Sequence, residues 1–135
     1  MSVQRLDPPG LPAVPGLISQ LVVTTGRRLV HLSGQVARDG RGNPTGGDHA
    51  AQAAVIARTI DLALTAVGAS RDDIVKEVIY VVDYTLDVLP AVLDALREGT
   101  RTAPASTLVP VTALFAPGYL IEVDVTAAVH QLPCP

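Results

Sequence analysis

The stretch that decides the fold is YLIEVDVTAAV, residues 119–129, in which apolar and polar side chains alternate. Ile121, Val123 and Val125 share one side with Ala127 and Val129. Glu122 and its polar neighbours occupy the other side. Alternation with a period of two predicts a β-strand with one buried face. The apolar face therefore needs a covering layer.

Two amphipathic helices supply that layer. Asp48 is placed to cap the first helix, because its carboxylate can accept from free amide groups at the helix start. The apolar stripe of this helix recurs at helical spacing and ends before Gly68: Ile56, Ile60, Ala63, Leu64 and Val67. Residues 88–96 repeat the pattern, with Pro90 in the first turn and Gly99 after the end.

Five strand-like stretches and the two helices follow one another in the order ββαβαββ. The stretches are 17–25 and 29–35 before the first helix, 73–84 between the helices, and 105–115 and 119–129 after the second helix. We expect a hairpin between 17–25 and 29–35 around Gly26. A second hairpin is expected between 105–115 and 119–129. Residues 1–16 are proline-rich and predict an extended arm, and 131–135 predict a loose tail.

This order predicts a single α+β domain, residues 1–135, with both helices on one face of a mixed sheet. Nothing in the remaining sequence can cover the second face. Self-association through that uncovered face is the expected solution.

The composition argues against several classes of function. Ten Lys and Arg against 13 Asp and Glu disfavour binding to long nucleic acids. No apolar run reaches the ~20 residues of a membrane span, and the N-terminus does not resemble a signal peptide. We therefore expect a cytoplasmic protein that binds neither membrane nor nucleic acid.

No metal, cofactor or nucleophile is predicted. His31, His49 and His130 lie on different elements without metal-ligand spacing. Cys134 is the only cysteine and lies between prolines in the predicted tail. The glycine-rich segment 40–47 matches neither a dinucleotide nor a phosphate-loop pattern, so a flexible loop is the better interpretation.

Three short segments carry a family resemblance: SGQ at 33–35, APASTLV at 103–109 and LIEV at 120–123. Their order and spacing resemble the RidA/YjgF family of enamine and imine deaminases, once called endoribonuclease L-PSP. The match spans about residues 12–130. It implies a chorismate-mutase-like α+β fold. It also implies a homotrimer with a central barrel and small-molecule pockets in the clefts between subunits.

The resemblance also assigns roles by position. In the family, an arginine holds the substrate carboxylate, a strand glutamate handles the attacking water, and backbone groups bind near the imine carbon. Glu122 matches the glutamate and is the expected catalytic residue. Gly34 matches the backbone contact, and Ser33 and Gln35 flank it in the substrate-binding strand.

Two positions depart from the family pattern. Ser106 stands where the arginine is expected, and Ile18 where a tyrosine is expected. Ser106, Ile18 and Thr107 are still assigned to substrate binding, with Ser106 and Thr107 brought toward Glu122 in the second hairpin or between chains. Arg101 and Arg38 are candidate replacement cations, although a solvated arginine is the favoured interpretation of each.

The sequence leaves three alternative functions. The first is a hydrolase for imines or enamines with altered specificity, since a neutral serine cannot replace a charged fork. The second is a non-catalytic trimer that binds or senses a metabolite. The third, cleavage of RNA, rests on the older family name, and the charge balance disfavours it.

Overall fold

The computed structural model describes residues 2–130. The predicted tail 131–135, with Cys134, lies outside the described residues. Seven strands are present: β1 Ser2–Leu6, β2 Leu21–Thr25, β3 Arg28–His31, β4 Gln35–Val36, β5 Ile74–Val82, β6 Ala105–Val111 and β7 Ile121–Val129. The two α-helices are α1 His49–Thr65 and α2 Leu89–Arg97. Short 3₁₀ turns at Arg71–Asp73 and Leu86–Val88 precede β5 and α2.

The main sheet is mixed and is built around β7. Its strand order is β3-β7-β5-β6, and β4 also pairs with β7. β5 is antiparallel to β7 and parallel to β6. A parallel pair requires a crossover connection, and α2 provides it between β5 and β6. The predicted α+β class with a mixed sheet and two helices is confirmed.

Both predicted hairpins are wrong. β2 pairs with β1 rather than β3, and β3 pairs with β7. β6 and β7 are separated by β5, so the 112–120 connection passes from one side of β5 to the other. Adjacency in sequence favoured the hairpins, but the crossover through α2 had already placed β6 on the far edge of β5.

The predicted N-terminal arm is partly a strand. β1 forms a two-stranded antiparallel ribbon with β2. The prolines that predicted an irregular arm begin at Pro8, so residues 2–6 keep their amide donors. Arg5 fastens the ribbon to the main domain by donating to the carbonyl oxygens of Ala103, Asp72 and Ile74 at 2.7–3.3 Å.

The helices cover one face of the main sheet, as the alternation in β7 predicts. Ile121, Val123 and Val125 are buried in one core with side chains of both helices. The other core side chains include Ile56, Ile60 and Leu64 of α1, Ile79 and Val81 of β5, and Val92 and Leu96 of α2. The Asp48 cap is confirmed, since its carboxylate accepts from the Ala51 N–H at 2.9 Å.

The opposite side of the sheet is called the open face here, because neither helix of the described chain covers it. Strand register places these side chains on it: Lys76, Val78 and Tyr80 of β5, Thr107, Val109 and Val111 of β6, and Glu122, Asp124 and Thr126 of β7. Most of them are partly or fully exposed. The open face is the surface that the sequence predicted to be available for self-association.

Candidate active site

Glu122 lies on the open face, against the backbone of Gly34. A Cβ added at position 34 would lie 2.8 Å from Cδ of Glu122 and closer still to its carboxylate. Only glycine therefore lets the carboxylate rest here, because any side chain would occupy the same space. Among residues 2–130, the Glu122 carboxylate has no ion pair or hydrogen bond. It is half-buried and available to a ligand.

The neighbours of Glu122 are the aromatic side chain of Tyr80 on one side and the backbone of segment 33–35 on the other. Tyr80 lies directly opposite it on β5, and Val109 lies beyond Tyr80 on β6. The predicted segment 33–35 is held by its own contact, since Gln35 Nε2 donates to the Ser33 carbonyl at 2.7 Å. The structure therefore brings Glu122 together with Gly34, and Ser33 and Gln35 flank that contact.

Ser106 belongs to a different environment. It lies opposite Glu77 of β5, and Glu77 lies opposite the buried Val125. The Ser106 hydroxyl donates to Oε1 of Glu77 at 2.7 Å. Ser106 is therefore on the helix-covered face, and the expectation that a hairpin brings it beside Glu122 is wrong within one chain.

Arg97, the last residue of α2, completes this environment. Its two terminal nitrogens pair with both carboxylate oxygens of Glu77. Its Nε donates to the Leu17 carbonyl at 2.7 Å. Glu77 is 2% exposed and the Arg97 side chain 9%. A buried, two-pronged ion pair of this kind holds charge-assisted hydrogen bonds in fixed geometry.

Ile18 lies in the segment that precedes β2, and the residues on either side of it are held near this ion pair. Leu17 accepts from Arg97, as described above. On the other side, Ser19 donates to the carbonyl oxygens of Pro104 (2.9 Å, from its N–H) and Ala103 (2.6 Å, from its hydroxyl). The structure thus groups Ile18 and Ser106 with Glu77 and Arg97, apart from Glu122.

The remaining predicted residues lie elsewhere. Thr107 is exposed on the open face, where its hydroxyl accepts from Lys76 Nζ at 3.0 Å. Arg101 is exposed and its N–H donates to Asp72, and Arg38 is exposed beside a bridge to Pro44. Neither side chain forms an ion pair within residues 2–130, which agrees with the solvated interpretation of both.

Sequence reasoning missed three polar residues that organise this region: Glu77, Arg97 and Gln52. The position of Glu77 could have been noticed, since a charged residue on the helix-facing side of an otherwise apolar strand indicates a buried polar contact. Gln52 is 1% exposed and donates to the carbonyls of Gly47 and Gly118 at 3.1 and 3.0 Å. Its Oε1 accepts from Leu120 N–H at 2.9 Å, two residues before Glu122.

The part of the chain from Ser2 to His130 contains no group of three or more acidic, histidine or cysteine side chains arranged to hold a metal ion. Within that same range, no helix has the length and apolar character needed to cross a membrane.

The fold and these segments define an α+β protein with helices on one face of a mixed sheet. The sequence model described as Endoribonuclease L-PSP matches residues 12–129. Since that match covers most of the chain, the protein belongs to the L-PSP family, also known as the Rid or YjgF family. The resemblance drawn from the sequence is confirmed.

Solved structures of the family share the architecture. The Rid-family protein YyfB of Yersinia pestis, of unknown function, is 30% identical with a TM-score of 0.86, covering 96% of this chain and 100% of its own. A YjgF-family protein of Mycobacterium tuberculosis is 34% identical with a TM-score of 0.62, covering 82% and 86%. YyfA of Yersinia pestis is 26% identical with a TM-score of 0.65, covering 95% and 100%. No curated protein matches significantly.

Proposed function

We propose that this protein is an imine or enamine hydrolase that acts in clefts between the subunits of a homotrimer. Glu122 is the group that handles water. The observation that carries the proposal is the close contact between the Glu122 carboxylate and the Gly34 backbone. The carboxylate is half-buried and has no hydrogen-bond or ion-pair partner in the described chain. A carboxylate in such a position can accept a proton from a water molecule held beside it.

The proposed reaction balances without a cofactor. Water adds to the carbon of a C=N bond, and Glu122 accepts the proton that the water loses. Glu122 returns that proton to the nitrogen, which gives a carbinolamine. The carbinolamine hydroxyl then passes its own proton to the nitrogen through Glu122, the C–N bond breaks, and ammonia leaves a carbonyl compound behind. In this proposal the Gly34 backbone binds beside the reacting carbon, and its closeness to the Glu122 carboxylate supports that role.

The trimer is part of this proposal. The open face carries apolar side chains, such as Val78 and Val109, that remain partly exposed in a single chain. Burial of apolar surface contributes about 25 cal/mol per Å², so a second and third copy would stabilise this face. A trimer would also bring the Ser106 group of one chain toward the Glu122 group of another.

Ammonia release from freshly prepared imines, with and without a carboxylate, tests the assignment. Glu122→Gln should reduce turnover by about 10²–10⁴-fold, the usual contribution of a positioned acid or base. Asp124→Asn is the matched control, because Asp124 is an exposed carboxylate two residues along the same face of β7. Equal turnover by Glu122→Gln and the parent protein would remove the catalytic assignment.

A non-catalytic binding trimer is the second candidate. The observation that favours it is the closed Arg97–Glu77 pair, which offers no free cation to an acidic substrate near Ser106. Ligand-dependent thermal stabilisation without ammonia release would support this function, since a ligand that binds only the native state raises apparent stability.

RNA cleavage is the third candidate, because the family description names an endoribonuclease. The net charge of −3 works against association with a phosphate backbone. A binding assay with single-stranded RNA at low salt tests this candidate, and we expect no complex.

A further inference from the structure

The cluster formed by Glu77, Arg97 and Ser106 determines what the surface at Ser106 can offer to a ligand. It joins β5, α2 and β6, and through Leu17 it also joins the segment that precedes β2. Both charged side chains are almost completely buried, whereas Ser106 is half-buried. Ser106 is therefore the member of the cluster that a bound molecule can reach.

The hydrogen-bond capacity of the cluster is largely used internally. Each nitrogen of the Arg97 guanidinium donates one N–H within the protein, either to Glu77 or to Leu17, and the remaining two N–H groups belong to a side chain that is almost completely buried. The Ser106 hydroxyl has one proton, and it points at Oε1 of Glu77 across 2.7 Å. A hydroxyl retains lone pairs after it donates, so Ser106 faces a ligand as an acceptor and not as a donor.

We propose that this part of the cleft selects an uncharged ligand group with an N–H or O–H donor and rejects a carboxylate. This inference rests on the proposed function only for the location of the pocket beside Ser106. A carboxylate brings only acceptor oxygens, so it would meet the Ser106 lone pairs without a proton between them. Ile18 follows Leu17, whose carbonyl accepts from Arg97, so the segment beside the cluster is apolar and suits a small aliphatic group next to the donor.

Arg97 does not reverse this selectivity. Turning its guanidinium toward a ligand would leave Glu77 buried and unpaired, and breaking a buried ion pair is strongly unfavourable. The net charge of the pair is zero, so it attracts an anion only weakly. The ligand group is therefore selected by hydrogen-bond donation rather than by charge.

Binding of isobutyramide and isobutyrate tests the proposal, because the two molecules have the same shape and differ in the donor group. Their affinities can be measured by NMR titration of the ¹⁵N-labelled protein. We expect tighter binding of isobutyramide, with the amide signals of β6 among those that shift. Ser106→Ala should weaken isobutyramide binding by about threefold to tenfold, the equivalent of one neutral hydrogen bond, and leave isobutyrate unchanged.

Two further variants protect the test against indirect effects. Ser106→Cys keeps a side chain of similar size but supplies only a weak acceptor, so it should show the same loss as Ser106→Ala. Binding retained in Ser106→Cys would assign the loss in Ser106→Ala to packing and overturn the role of the hydroxyl. Thr59→Ala removes a hydroxyl that bonds within α1 to the Val55 carbonyl, outside the cluster, and should leave both affinities unchanged.

The outcomes separate this proposal from the proposed function. Equal or tighter binding of isobutyrate, or no binding of isobutyramide, overturns the selectivity whatever the catalytic result. Selective isobutyramide binding together with equal turnover by Glu122→Gln and the parent would keep the selectivity and remove the hydrolase.

Discussion

Ser106 and Glu122 lie on opposite faces of the same sheet. Ser106 lies beside Glu77 on the helix-covered face, whereas Glu122 lies beside Tyr80 on the open face. The two family segments that carry them therefore do not form one pocket within a protomer. A pocket that uses both requires a second copy of the chain, which links the proposed chemistry to assembly.

Gly34→Ala should remove the function of Glu122 while the protein remains folded. The added Cβ would displace the Glu122 carboxylate, and the displaced atoms belong to the end of a flexible side chain rather than to backbone. We expect turnover or ligand affinity to fall at least tenfold, with a change in unfolding free energy below about 1 kcal/mol. Activity assays and urea denaturation measure the two effects.

Gly40→Ala is the control for that substitution, because a Cβ at Gly40 would meet nothing within 4 Å. Retention of full activity by Gly34→Ala would show that the Gly34 contact does not position Glu122.

An arginine at position 106 should not bind a carboxylate ligand as long as Glu77 is present to pair with it. In Arg97→Gln/Ser106→Arg, the guanidinium is moved from α2 to β6, where Glu77 lies directly opposite and can pair with it again. We expect no gain in isobutyrate binding. Glu77→Gln/Arg97→Gln/Ser106→Arg leaves the new guanidinium without a carboxylate, so isobutyrate affinity should rise at least tenfold over the Glu77→Gln/Arg97→Gln parent.

Titration of the three variants with isobutyrate decides this prediction. A rise in isobutyrate affinity in the Arg97→Gln/Ser106→Arg protein equal to that in the triple variant would show that Glu77 does not capture the new side chain.

Val109→Glu should disrupt assembly. Val109 lies on the open face of the edge strand β6, in the same row as Tyr80 and Glu122. A buried unpaired carboxylate at an interface costs several kcal/mol. Sedimentation should therefore detect monomers of the variant, whereas the proposed function expects a trimer for the parent protein. Leu62→Glu is the control, since Leu62 is 76% exposed on α1. A parent protein that sediments as a monomer would contradict the proposed trimer.

Asp72→Asn should change the acid stability of the fold. Burial raises the pKa of Asp72, but hydrogen bonds from the N–H groups of Arg101 and Thr102 and from the Thr102 hydroxyl outweigh it, and the pKa is lowered overall. A carboxyl with a lowered folded-state pKa adds stability above its unfolded pKa, and that stability is lost as pH falls through the folded value.

Because Asp72 is only partly buried, the variant should be about 0.5–1.5 kcal/mol less stable than the parent at pH 7, and the difference should shrink below about pH 4. Urea denaturation across this pH range measures it. Asp94→Asn, on the exposed side of α2, is the control. A difference that stays constant down to pH 2 would contradict the role of the Asp72 charge.

Local patterns in the sequence predicted much of the fold. Alternation in β7 identified its buried face, and the stripe from Ile56 to Leu64 identified α1, because both periods are set by backbone geometry alone. The Asp48 cap and Pro90 in the first turn of α2 followed from rules that involve only neighbouring residues. The family and fold class were confirmed on this basis.

Strand pairing and buried polar contacts were not predictable in the same way. Whether β6 lies beside β7 depends on the crossover through α2, which no short pattern records. The partners of Glu77 are 20 and 29 residues away in sequence, so its burial shows only that a partner is required. The structure places Gly34 against Glu122, two residues that the family segments singled out, but those segments did not indicate that Ser106 faces away from Glu122.

Gln52 has a consequence for the motions of the protein. Its single side chain closes three backbone hydrogen bonds, at the start of α1, at the turn before β7 and at the first residue leading into that strand. These backbone groups cannot be exposed one at a time without leaving the buried amide unsatisfied. The amide hydrogen of Leu120 and the backbone amide hydrogen of Gln52, which donates to the Asp48 carbonyl, should therefore exchange with deuterated solvent in a shared opening event, at similar rates.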